Sequence, residues 1–183
     1  MALRMRVLAV AGLVAWLGAC AHSVSGPATT ASAEPASQSV TVQQSWPKTP
    51  AEAEQLKAGG AHWSDCQIRV YYNELVEQIP AADAALKAEG KSAKERARSA
   101  SEIRHNARLT CRAMMASRDE VEKLRARDLE KYGNPDGPTF EQLVEKNRGK
   151  GMTGDAPFEE VVASSQRTDE AVNRECWIER RKP

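Results

Sequence analysis

Four cysteines and three histidines are the side chains here that could carry nucleophilic, redox or metal chemistry. His105 precedes Cys111 by six residues. A Cys–His nucleophilic pair needs hydrogen-bond reach, and that spacing puts the two on opposite faces of one helix. His62 and Cys66 stand four apart, but no second ligand pair follows at a zinc-like spacing, so no metal site is expected. No Walker loop, nucleophile elbow, zincin helix or EF-hand loop occurs. The run Arg148–Asp155 mixes basic residues with Gly149, Gly151 and Gly154. It could cradle an anion at a helix N-terminus, yet it lacks the spacing and preceding strand of a P-loop and reads as a helix connection. Glu159 and Glu160 are adjacent rather than facing, and they suit the positive end of a helix dipole. The expectation is a protein that is not an enzyme, with no cofactor and no metal.

The elements that position these residues read as helices. Capping boxes recur: a Ser or Thr whose oxygen takes a free N–H, with Glu or Gln three residues on. Thr49 with Glu52 opens a helix to about Lys57, with Pro50 at its first position, and Gly59-Gly60 stops it. Ser64 with Gln67 opens a second, to about Ile79, where Pro80 kinks it or starts another to Lys87. Ser92 with Glu95 begins the longest segment, to about Lys131, with Gly133 as its cap; Ser117 with Glu120 repeats the cap pattern inside it, a candidate break. Ala100, Ile103, Ala107, Cys111, Met114, Val121 and Leu124 fall on one apolar stripe. Asn134-Pro135-Asp136-Gly137-Pro138 is a turn. Thr139 with Gln142 opens the next helix, to about Asn147, and Pro157 the last, which carries Phe158, Val162, Ser165, Val172 and Cys176 on a similar stripe. Ile68, Val70 and Tyr72 alternate like a strand inside a helical stretch, where length and the preceding cap favour helix. The fold class is all-α, a four- to five-helix bundle over residues 49–183.

Composition agrees. The 183 residues are 28% charged and only 5% aromatic, few aromatics for a sandwich or barrel. Lys and Arg total 26 against 25 Asp and Glu, a net charge of +1. That balance excludes a dedicated nucleic-acid binder. The basic clusters at Lys91–Arg98 and Glu179–Lys182 read as solvated helix faces.

The first twenty residues are the most specific signal. Arg4 and Arg6 precede an uncharged apolar stretch, Val7 to Trp16, that is too short to span a bilayer. It fits the core of a secretory signal peptide. Leu17-Gly18-Ala19-Cys20 resembles the lipobox of bacterial lipoproteins in all four positions. The resemblance covers residues 1–20 and implies removal of 1–19 and lipidation of Cys20. Ala21, which is not Asp, implies sorting to the outer membrane in the Gram-negative pattern. Several acyl chains make such an anchor stable, at roughly 0.8 kcal/mol per buried CH₂. Without Arg4 and Arg6 the net charge becomes about −1. Residues 20–48 form the lipidated cysteine and a flexible linker. Ser23 to Gln44 is rich in Ser, Thr, Ala, Pro and Gln, with Glu34 its only charge, and cannot bury enough apolar surface to order itself. About 30 such residues give a typical reach of about 30 Å.

With Cys20 lipidated, Cys66, Cys111 and Cys176 remain in an oxidising compartment. One at least stays unpaired. If the helices flanking Gly90 run antiparallel, Cys66 and Cys111 lie nearly level, which favours Cys66–Cys111 over Cys111–Cys176. A tether, a small neutral helical domain and no catalytic constellation together point to an outer-membrane-anchored lipoprotein that binds another protein in the periplasm. Its expected role is that of an inhibitor or immunity protein against a toxin or lytic enzyme. A pilotin-like secretion accessory, a structural envelope lipoprotein and an envelope-polymer hydrolase are the alternatives, in that order. The large aromatics Trp63, Tyr72 and Trp177 are the candidate partner contacts.

Overall fold

The computed structural model of this chain describes residues 46–179, so Cys20, the expected signal peptide and most of the expected linker lie outside the described residues. Eight helices follow one another with no strand among the described residues: α1 (Pro50–Ala58), α2 (Asp65–Val76), α3 (Ile79–Ala88), α4 (Ala93–Met114), α5 (Arg118–Tyr132), α6 (Phe140–Gly149), α7 (Ala156–Ser165) and α8 (Glu170–Glu175). The domain is all-α. The four or five helices of the sequence reading become eight because local signals cut the longer segments. Pro80 starts α3 rather than kinking α2, and Ser117 caps α5 by accepting from the Glu120 amide. Ile68, Val70 and Tyr72 are helical, inside α2.

The expected caps set most of the starts. Ser64 with Gln67, Ser92 with Glu95 and Thr139 with Gln142 form complete capping boxes, each satisfying two free N–H groups. At α1 the box is shifted: Thr49 accepts from the Glu52 amide, while the Glu52 carboxylate takes the Lys48 amide at 2.8 Å. Gly133 ends α5 in the left-handed conformation, at φ 68°.

α4 is the hub, with α1, α2, α3, α6 and α7 packed around it and α8 lying on α2. Its small residues Ala97, Ala100 and Ala107 let neighbours approach closely. Val76, Ile79, Phe140, Val144, Val161 and Val162 close the larger core around Ala97 and Ala100. A second core gathers Ala53, Trp63, Ile68, Tyr71, Cys111 and Met114 between α1, α2 and the end of α4. Buried Arg96 donates to Asp83 at 2.7 Å and also to Glu159, tying α3, α4 and α7 together. Trp46, the first described residue and three before the expected boundary, already packs on the domain. Trp46 stacks on Tyr71 with ring centroids 5.0 Å apart, and the Tyr71 hydroxyl donates to the carbonyl of fully buried Pro47. Among the described residues, no helix is long and apolar enough to cross a membrane.

Candidate functional site

The disulfide joins Cys66 to Cys176, with Cα atoms 5.2 Å apart, and not to Cys111, which is a free buried thiol. The level of Cys111 along α2 was nearly right, since its Sγ donates to the Ile68 carbonyl at 3.6 Å. The face was wrong. Cys66 is two residues before Ile68, about 200° around the helix, and looks with Val70 toward α8. There Asn73 pins the start of α8 in both directions, donating to the Asp169 carbonyl and accepting from the Asp169 amide, each at 3.0 Å. Burial pushes the Cys111 thiol up to about 12. A thiol so held stays protonated and is no nucleophile.

The three candidate partner aromatics separate. Trp63 is 7% exposed in the second core, which removes it from any contact surface. Tyr72 is half-buried, beneath Arg104, whose guanidinium carbon lies 5.9 Å from its ring centroid. Trp177 is 49% exposed and is followed by Ile178 at 57%, directly after the disulfide. His62 is exposed, whereas His105 lines a small cavity between α4, Pro138 and α6, apart from Cys111. The Lys91–Arg98 cluster is no free basic patch: Arg96 pairs with Asp83 and Glu159, and Arg98 with Glu141 at 2.9 Å. Glu160, the neighbour of Glu159, faces Arg167 instead, at 3.5 Å.

An amphipathic cleft of about 590 Å³ lies where α2, α4, α5 and α8 meet. Its floor is apolar: Ile68 and Tyr72 from α2, Cys111 from α4, Leu124 from α5 and Val172 from α8. Five cations reach it, against the carboxylates of Asp128 and Asp169. Arg69 is bound to Glu175 at 2.8 Å and Asp169 at 3.3 Å, and these bonds hold its pKa above the ordinary arginine value. Arg112 is bound to Asp128 at 2.5 Å, with both side chains buried, and also donates to the Pro135 carbonyl at 2.9 Å. Among the described residues Arg108 hydrogen-bonds the Asp136 carbonyl alone, at 3.4 Å, with its guanidinium beside Gly137. A Cβ at Gly137 would meet its Nη1 at 2.4 Å, so only glycine fits that turn, at φ 94°. Sequence reasoning missed this site. The available signal was Arg104, Arg108 and Arg112 at spacings of four, one face of a helix.

Comparison with protein-family models, with curated proteins and with solved structures finds no match to this chain.

Proposed function

We propose that this is a lipid-anchored protein of the outer membrane, held through Cys20, whose helical domain binds another protein in the periplasm and acts as an inhibitor or immunity protein rather than an enzyme. The observation that carries the reading is the apolar knob Trp177–Ile178. The chain leading to it is fixed to α2 by the Cys66–Cys176 bond and by Asn73, so the knob is presented on a rigid base. An exposed, preorganised tryptophan beside an aliphatic residue has the character of a binding hot spot, with little ordering entropy left to lose. The separation of His105 from Cys111 and the inert thiol support the non-enzymatic half of the reading.

The test uses the full chain in its native cells, as wild type and as Trp177→Ala/Ile178→Ala, each cross-linked in the envelope and recovered for mass spectrometry. One stoichiometric hydrolase-like or toxin-like partner is expected, with recovery falling about tenfold or more in the double variant. Equal recovery from both chains, or self-association alone, overturns the reading.

A further inference from the structure

We propose that the cleft between α4 and α5 is a binding site for a small anionic amphiphile: one carboxylate carried on an apolar chain or ring system. This goes beyond the protein-docking reading and uses other residues. Arg104, Arg108 and Arg112 form a ladder on one face of α4, and each of its outer rungs is held by two or more short bonds. Arg104 Nη1 donates to the carbonyls of Ser164, Ser165 and Arg167 at 2.8–2.9 Å. Arg112 has Asp128 and the Pro135 carbonyl. Arg108, between them, has one long bond to a carbonyl and no carboxylate within ion-pair distance among the described residues.

Burial, with lesser contributions from Arg112 and Arg104, holds the Arg108 pKa below its ordinary value, against the pull of Tyr72 and Asp128. A part-buried guanidinium with no carboxylate in contact is costly to the folded protein. An arriving carboxylate offsets that cost and finds a fork of donors. On the α5 wall, Lys131 is a second cation with no carboxylate partner among the described residues, its Nζ 5.2 Å from the Tyr132 ring centroid.

The rest of the cleft defines the body of the ligand. Ile68, Leu124 and Val172 supply aliphatic walls, and the cleft volume of about 590 Å³ falls within the roughly 300–1,000 Å³ of small-molecule sites. A fully hydrated inorganic anion gains nothing from such walls. An extended peptide finds no strand edge to pair with among the described residues, and its backbone groups would go unsatisfied there. The cavity on the other side of α5, about 650 Å³, is lined by Glu54, Glu122 and Asp136 as well as cations, so it lacks the same charge excess.

The test uses the full chain carrying Cys20→Ser, so that no acyl group of its own competes. Anilinonaphthalene sulfonate serves as the fluorescent probe, displaced by dodecanoate, by dodecanol and by dodecyltrimethylammonium. The expected result is one saturable site, with dodecanoate at least about tenfold tighter than the alcohol and the cation weaker still. Arg108→Gln and Lys131→Gln should each weaken dodecanoate by about tenfold, with dodecanol unchanged. Leu124→Trp, which fills the cleft from α5, should abolish the site. Circular dichroism checks that Arg108→Gln folds, and Lys131→Gln, on exposed α5, carries the test if it does not. Equal affinity for acid and alcohol, or variants that bind like wild type, overturns the proposal. So does a site lost as the protein dimerises, which would assign the cleft to a second copy of the chain.

Discussion

α4 and α5 are consecutive helices of 22 and 15 residues, each opened by a serine cap, yet different forces hold them. α4 buries ten residues, four alanines with Cys111 and Met114 among them, against five neighbouring helices. α5 buries one, and that one is Asp128. Its apolar residue Leu129 faces outward at 52% exposure. What fixes α5 is charge. Arg112 takes Asp128, and Arg125 takes Asp136 at 2.8 Å across the turn that follows. Apolar burial is non-directional and tolerates small shifts, while a buried ion pair demands its geometry and fails abruptly when one partner goes. The hub is therefore expected to open only with the whole domain, and α5 to open by itself. Cavities on both sides of α5 are the structural mark of that difference.

The largest effect should come from the hub side. The Cys66–Cys176 bond spans 110 residues, so removing it costs about 4–5 kcal/mol in the chain-entropy picture. Urea unfolding of Cys66→Ser/Cys176→Ser should show one transition at a lower midpoint. If instead only α8 detaches and the main transition stays put, the hub is less cooperative than its packing implies.

On the α5 side, Asp128→Ala leaves Arg112 buried without its carboxylate, a loss of about 3–5 kcal/mol for such a pair. The loss should appear as faster amide exchange across Arg118–Tyr132, with Ala97 to Ala107 of α4 still protected. A global midpoint shift of the same size, with uniform exchange, would break the distinction between the two helices.

The sequence made this contrast half visible. Helix starts were legible because capping is local: Ser64, Ser92, Ser117 and Thr139 each act within three residues of themselves. The helix class of α2 was legible from the same cap. Which face of a helix meets which neighbour was not, because that depends on chain returning from far away. Cys66 meets Cys176 across 110 residues, and Asn73 meets Asp169 across 96. Trp63 and Trp177 look alike in sequence, but one lies under α1 and α4 while the other follows α8 into solvent. Arg108 was hidden for a further reason. Its significance lies in the carboxylates it does not have, and absent partners are readable only once Arg104 and Arg112 have been given theirs.

The smallest expected effect probes the seam between the two regions, where His105 of α4 lies near the turn after α5. Burial lowers its pKa from 6.5, Arg108 and Arg112 lower it further, and Asp136 opposes them. The neutral imidazole is thus the form the fold favours. Its contribution is fully present above pH 6.5 and is lost as the pH falls below that value and through the depressed folded one. The carboxylates of Glu95, lowered chiefly by its Ser92 hydrogen bonds, and of Glu141, lowered by a backbone bond, lose theirs only below the ordinary value of 4.5. The His105 window therefore opens at a higher pH than theirs. Thermal midpoints of wild type should therefore fall between about pH 7 and pH 5, while those of His105→Gln stay flatter. A slope that persists in His105→Gln would assign the pH response to another group. A slope that vanishes, with exchange at Asn134–Gly137 quickening in acid only in wild type, would place the loss at the seam, where a third cation beside Arg108 and Arg112 pushes the α5 turn away from the hub.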